Sequence, residues 1–203
     1  MTKEKSAFRA DLNKYYRILP GSARPPLGAR IRFGIFNFGL HCVACYRFGQ
    51  YADRLYSRSK ILGFIPRCAH LVLSYFVHMV HHVDIDAATI GPGFNIGHVG
   101  TIYIGPTVIG RNFSVGHNVT IGIGHSEAGD GIPTIGDDVW VGTGAIISGA
   151  ITIGNRVTIA NGCILSRSVP DGCLVAGNPG RVILADYDNS KLLGWKFGDD
   201  ATA

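Results

Sequence analysis

The sequence predicts a mainly β protein, a parallel β-helix preceded by an α-helical domain. Three observations carry that prediction. An aliphatic residue recurs on a six-residue beat, at Ile90, Ile96, Ile102, Ile109, Val115 and Ile121, then at Ile135, Val141, Ile147, Ile153, Ile159 and Leu165. A small residue usually follows it, as at Gly91, Gly97, Gly110, Gly116, Gly136, Gly142 and Gly154, and a second core-type residue stands four positions on, as at Phe113, Val119, Val139, Ala145, Ile151, Val157 and Cys163. Before the beat begins, residues 1–82 hold apolar runs at helical spacing.

Neither a helical nor a simple strand period generates that beat, and a hexapeptide repeat implies a parallel β-helix. Each hexad is one short strand and a tight turn, and three hexads make one triangular coil. The aliphatic residue points inward and stacks on the coil below. The small residue lets the backbone turn the corner at little steric cost. No coil is stable alone, because stacking is what buries the shared core.

The beat breaks twice. One extra residue lies between Ile102 and Ile109, which a corner bulge can absorb. Between Ile121 and Ile135 the gap is eight residues longer than a hexad, so residues 123–134 must leave the coil as a loop. Loops thrown from a rigid scaffold are common places for sites. The expected organisation is a helical domain over 1–82, the β-helix over 83–183 and a tail over 184–203 that folds back over the last coil or frays.

Within the helical domain, residues 1–18 read as one helix, with Phe8, Leu12, Tyr15 and Tyr16 on one side and a cap at Ser6 or another early polar residue. Pro20-Gly21 and Pro25-Pro26 break it. Residues 31–57 form a second apolar run and 60–82 a third. The third is long enough to raise the question of a membrane span. Pro66, Arg67, His70, His78, His81 and His82 count against one, and a buried subunit-contact helix is expected ahead of a membrane-surface segment.

The net charge of +5 and pI near 9.0 fit an anionic ligand or an anionic membrane surface. No Lys/Arg run or aromatic-basic interleaving occurs, so no nucleic-acid partner is expected. Cys42-Val43-Ala44-Cys45 has redox or zinc spacing but lies in an apolar run without a second pair, which favours core packing. An odd cysteine count and a charged N-terminus without an apolar stretch point to the cytoplasm, its membrane face included.

Several segments occur in a telling order: Gly39-Leu40-His41 with Cys45-Tyr46-Arg47-Phe48-Gly49, then Val83-Asp84-Ile85-Asp86, Asn95-Ile96-Gly97-His98, Thr120-Ile121-Gly122 and Ala176-Gly177-Asn178-Pro179-Gly180-Arg181. With them, nearly the whole chain resembles the serine acetyltransferase-like branch of the left-handed β-helix acyltransferases. The left hand of the coil is implied by that resemblance and not by the beat. The resemblance also implies acetyl-CoA as co-substrate, no metal, and a homotrimer with active sites between subunits. The helical domains would then pair trimers into a hexamer or rest on a membrane.

Acetyl transfer needs a base to take a proton from the attacking hydroxyl, and histidine titrates near working pH. By resemblance the base is His98, and its carboxylate partner is Asp84 or Asp86. One residue fewer than in the family separates the two segments and leaves that pairing open. His125, in the extruded loop, matches a Gly-His of the related galactoside and maltose acetyltransferases and is the second candidate base or an acceptor contact. Asp130 in the same loop and His117 are further acceptor contacts. The pantetheine arm is expected past Gly122, Thr143, Gly144, Ala145, Ala160 and Asn161, with Arg167 and Arg181 toward the phosphates. A zinc carbonic anhydrase on the same fold would need three histidines closely spaced, and His98, His117 and His125 lack that spacing.

The sequence departs from true serine acetyltransferases where a free amino acid would be held. Gly97 replaces an Asp, Gly131-Ile132 replaces an Arg-His pair before Pro133, and Leu19 replaces an Asp before Pro20. Charged hydrogen-bond partners are worth about 1.5–3 kcal/mol each. A sugar or polysaccharide-precursor hydroxyl is therefore the expected acceptor, with serine O-acetylation as the alternative. The final residues lack the terminal Ile of the family, so no cysteine synthase complex is expected.

Overall fold

The computed structural model describes residues 3–18, 25–126 and 129–194. Four helices come first: α1 (Lys3–Ile18), α2 (Leu27–Phe36), α3 (Phe38–Arg58) and α4 (Lys60–His81). Short strands follow: β1 (Val83–Ile85), β2 (Thr89–Ile90), β3 (Asn95–Ile96), β4 (Ile102–Ile104), β5 (Val108–Ile109), β6 (Ser114–Val115), β7 (Thr120–Gly122) and β8 (Thr134–Ile135). The chain continues through β9 (Trp140–Val141), β10 (Ile146–Ser148), β11 (Thr152–Ile153), β12 (Thr158–Ile159), β13 (Ile164–Leu165), β14 (Leu174–Ala176), β15 (Arg181–Leu184) and α5 (Ser190–Leu193).

Every third strand joins the same sheet, which is the signature of a three-sided coil. The first face is β1-β4-β7-β10-β13, the second β2-β5-β8-β11 and the third β3-β6-β9-β12-β14. Neighbours within a face run parallel, and β15 closes the third face antiparallel to β14. The result is a parallel β-helix of about five coils. All twelve aliphatic residues of the beat are buried, as are Phe113, Val119, Val139, Ala145, Ile151, Val157 and Cys163.

The register corrects the reading of the first break. On the first face Ile104, not Ile102, stacks beneath Ile121, and Ile102 pairs with Val83. The extra chain therefore lies at the corner before β4, Gly97–Thr101, which bears His98, and the next corner is shortened. There Thr107 N–H donates to Gly105 O at 2.7 Å, and its hydroxyl bonds the Pro133 carbonyl. Two aliphatic residues two positions apart made the phase ambiguous in the sequence.

The helical domain sits against the first coil. Among the described residues no strand lies beneath that coil, and its backbone groups must find other partners. Asp11 accepts from Gly93 N and Phe94 N at 2.7 Å and pairs with Arg47 at 2.7 Å. Lys14 donates to the carbonyls of Gly93, Asn112 and Phe113 at 3.0–3.2 Å. The Tyr15 hydroxyl takes the Ile96 N–H and donates to its carbonyl, while Tyr46 bridges Ile90 N and Ala88 O. Arg47 donates to Ile90 O and Gly91 O. Asp11 and Lys14 are fully buried. Burial pushes Asp11 up against the pull of Arg47, and drives Lys14 down from 10.5 to about 7 against Asp11 and Asp138.

The helix boundaries differ from the sequence reading in two places. α1 starts at Lys3, so Ser6 lies inside it and does not cap it. The second run splits at Asn37, whose extended backbone (φ −94°) ends α2 and whose side chain accepts from Leu40 N at 2.8 Å to start α3. Pro66 lies inside α4, which Ser59 caps and which runs on to His81. Cys42 packs in the core, and burial pushes its thiol up to about 12. Leu19, Pro20 and residues 195–203 lie outside the described residues. Up to Gly194 the tail folds back along the corner between the second and third faces: Asn189 donates to Asp138 O at 3.0 Å, and Leu193 is buried.

Candidate active site

The corner between the third and first faces gathers residues that are far apart in sequence. Gly97 N donates to Val115 O, Gly116 N to Val141 O, Gly142 N to Ile159 O and Ala160 N to Val175 O, each at 2.8–3.0 Å. This ladder puts the residues that follow, His98, His117, Thr143 and Asn161, one above another on successive coils. The His98 and His117 rings lie 6.2 Å apart at 79°. Thr143 Oγ1 is 3.4 Å from His117 Nδ1, and Thr143 N donates to Asn161 Oδ1 at 2.9 Å.

Small residues make this column possible. A Cβ at Gly116 would stand 2.8 Å from Thr143 Oγ1, and one at Gly142 would collide with Asn161 Oδ1. Gly144 holds φ +74°, a conformation that favours glycine. His98 and Asn161 are exposed and His117 and Thr143 half-buried, so the column faces outward and is open. The corner between the second and third faces, by contrast, is clothed by α1 below and the tail above.

The other sequence candidates fall in different places. Gly144 and Ala160 belong to the open corner. Ala145 is fully buried, so its side chain belongs to the core and not to a groove. Gly122 ends β7 at the far side of the first face, where a Cβ would meet the Tyr103 ring at 3.3 Å. Arg167 is exposed beyond β13, and Arg181 is exposed on β15 with its guanidinium donating to Gly180 O at 3.2 Å.

The carboxylates are not hydrogen-bonded to His98. Asp84 on β1 lies 3.9 Å from His78 Nδ1 of α4. Asp84 and Asp86 line a cavity of about 560 Å³ between α3, α4 and the first face, together with Gln50, Asp53, His70 and Tyr103. The sequence reading missed His78 and Tyr103. Tyr103 was findable as the one aromatic at an outward hexad position beside Asp84, with which it pairs in register. His78 carried no local signal, because only the docking of α4 brings it to Asp84.

The extruded loop leaves between the first and second faces. Its base is pinned by Gly124 and Gly131, which exchange backbone hydrogen bonds at 3.1 Å. Beyond that bridge His125 Nδ1 meets Asp130 Oδ1 at 2.5 Å, with the two side chains 86% and 80% exposed. Glu127 and Ala128 lie outside the described residues. Within one chain, His98 and His125 stand at opposite margins of the first face. Among the described residues no cluster of His, Cys, Asp and Glu could hold a metal ion.

Comparison with known proteins places this fold. The model of the bacterial transferase hexapeptide (six repeats) matches residues 132–167. A serine acetyltransferase of Bacillus pumilus is 38% identical over 149 residues, which are 72% of this chain and 64% of that protein. The chain thus spans just under two thirds of that relative's length. The soybean serine acetyltransferase apoenzyme superimposes with TM-score 0.69 at 30% identity, covering 90% of this chain and 70% of that one. A Neisseria gonorrhoeae serine acetyltransferase in complex with serine gives TM-score 0.70 at 29% identity over 90% and 70% of the two chains. A Brucella abortus serine acetyltransferase in complex with coenzyme A gives 0.66 at 28% over 88% and 67%.

These matches overturn the expectation of a sugar acceptor. Relatives and structural neighbours alike carry the name serine acetyltransferase, and the missing charges at Gly97, Gly131 and Ile132 do not outweigh that. The coil is the left-handed parallel β-helix of its neighbours. The chain belongs to the hexapeptide-repeat acyltransferases, in their serine acetyltransferase-like branch.

Proposed function

We propose that the protein is an acetyl-CoA-dependent serine O-acetyltransferase that works as a homotrimer in the cytoplasm. The observation that carries this reading is the open column of His98, His117, Thr143 and Asn161 on one corner of the coil. It sets a base beside a run of small residues where an extended thioester can approach the backbone. The substrates come by similarity, from relatives named for serine and from neighbours solved with serine and with coenzyme A.

In this reading His98 takes the proton from the serine hydroxyl. The hydroxyl oxygen attacks the thioester carbonyl carbon, the C–S bond breaks, and the proton passes to the departing thiolate. The products are O-acetylserine and coenzyme A. Asp84 or Asp86 orients His98 and stabilises the imidazolium, which requires β1 and the His98 corner to approach on binding. The other carboxylate faces the substrate ammonium. His117 and His125 of the partner subunit face its carboxylate, in place of the absent Arg-His pair. Thr143, Gly144, Ala160 and Asn161 line the pantetheine arm, and Arg167 and Arg181 take the phosphates.

The test is thiol release from acetyl-CoA, with L-serine and unrelated hydroxyl acceptors run side by side on wild type and His98→Ala. Turnover on L-serine that the variant loses is expected. Turnover on other hydroxyls without serine, or full activity in the variant, overturns the reading.

A further inference from the structure

The fourth helix turns its polar side inward and its apolar side out. Gly63, Pro66, His70, Ser74, Val77 and His81 form the stripe that faces α3 and the first coil. This stripe is narrow because the helices touch closely: a Cβ at Gly63 would collide with Tyr56, and one at Gly49 with the His70 ring. Ile61, Ile65, Val72 and Tyr75 are 87%, 76%, 71% and 68% exposed, and Leu62, Phe64, Leu71, Phe76, Met79 and Val80 are exposed as well. At 100° per residue these side chains sweep an arc of about 180°, well beyond the ~100° stripe a packed helix buries.

The apolar surface continues onto α2. The Phe76 ring lies 6.4 Å from His81, and His81 lies 5.0 Å from Phe38 at the start of α3. Beside it α2 buries none of its residues and exposes Leu27, Ile31, Ile35 and Phe36. Neither α2 nor α4 contains an Asp or Glu, while Arg30, Arg32, Lys60 and Arg67 lie along them.

We infer that this α2–α4 face is a docking surface for an anionic lipid bilayer, with α4 lying in the interface plane. Arg67 pairs with Asp53 of α3 at 3.7 Å, which leaves Arg30, Arg32 and Lys60 as the cations of this face. An apolar arc with cations beside it and no carboxylate on its own helices is the pattern of an interfacial helix. A second copy fits worse. A facing copy would cover one stripe of so wide an arc, and the same face of a second copy would offer these cations no Asp or Glu of α2 or α4 to pair with. A membrane span also fits worse, although α4 has the length and composition for one. Its inner stripe packs on α3, so a span would draw Arg47, Asp53 and Arg58 and the first coil into the hydrocarbon.

The experiment is sedimentation of the full chain with vesicles of phosphatidylcholine alone and of phosphatidylcholine with phosphatidylglycerol, paired with light scattering of the lipid-free protein. The wild type should bind the anionic vesicles, less so at high salt. Ile65→Glu with Val72→Glu should weaken binding about tenfold or more, with an unchanged circular dichroism spectrum and oligomer mass. Arg32→Glu with Lys60→Glu should erase the preference for anionic over neutral vesicles. Absence of wild-type binding to either vesicle overturns the inference, as does unchanged binding in the first variant. An oligomer that the first variant splits into smaller units overturns it in favour of a second copy.

Discussion

The ring of His98 lies edge to face with the ring of His117 at 6.2 Å, one coil apart on the open corner. The two histidines therefore share one surface but have different neighbours. His98 has no hydrogen-bond partner among the described residues, while His117 has Thr143. His98→Ala should lower kcat on L-serine about 10²–10⁴-fold. His117→Gln should raise the KM for serine while changing kcat much less. Steady-state kinetics on both variants separates the base from the binding group.

Asn161 accepts the Thr143 N–H at 2.9 Å, which ties the fourth coil to the third beside the groove assigned to the pantetheine arm. Asn161→Ala removes that acceptor and should cost about 0.5–1.5 kcal/mol of stability while raising the KM for acetyl-CoA. Gly142→Ala should do more damage, because its methyl would strike the same Asn161 oxygen. Overpacking of this kind costs about 1–3 kcal/mol. Urea denaturation and acetyl-CoA titration would measure both.

His125 and Asp130 form their pair at the opposite margin of the first face from His98. If both histidines serve one site, they come from neighbouring subunits. Mixed trimers of His98→Ala and His125→Ala chains, each poorly active alone, should then recover about a quarter of wild-type turnover by random assembly. No recovery on mixing would rule out one site shared between neighbouring subunits.

Lys14 is buried and held down to about 7, first by loss of solvent and against the attraction of Asp11 and Asp138. The unfolded chain keeps its lysine protonated up to about 10.5, so between these values it holds more protons than the folded chain. Stability should therefore rise with pH from about 7 to about 10.5 on this account and level off well below 7, where both states hold the proton. Lys14→Met should flatten that rise and, by leaving the Gly93, Asn112 and Phe113 carbonyls without a donor, cost about 1–3 kcal/mol. Denaturation midpoints across pH, in both proteins, give the slope and the loss.

The coil was legible in the sequence because each hexad repeats the same local demand: an inward aliphatic residue and a small residue at the corner. Ile90, Val115 and Ile159 could be assigned inward from spacing alone. The column of His98, His117, Thr143 and Asn161 was legible as separate residues, and the ladder that stacks them follows from the coil. What escaped depended on tertiary contact. The phase at Ile102 and Ile104 is set by pairing with β1 and β7. The face of α4 was hidden for a related reason: its sequence shows that it is apolar but not which side it presents. Its small and polar stripe of Gly63, His70 and Ser74 turns inward because close helix contact requires small residues there.

The side chains of Asp11, Lys14, Tyr15, Tyr46 and Arg47 occupy the backbone groups of the first coil that a further coil would otherwise bond. A parallel β-helix has no intrinsic length, since each coil is a template for the next. The helical domain is thus a terminator that makes the solenoid finite. With it displaced, the lower rim of one molecule could accept coils of another, and the chain would grow end to end into fibrils. Five polar side chains at one rim thus set where the solenoid stops.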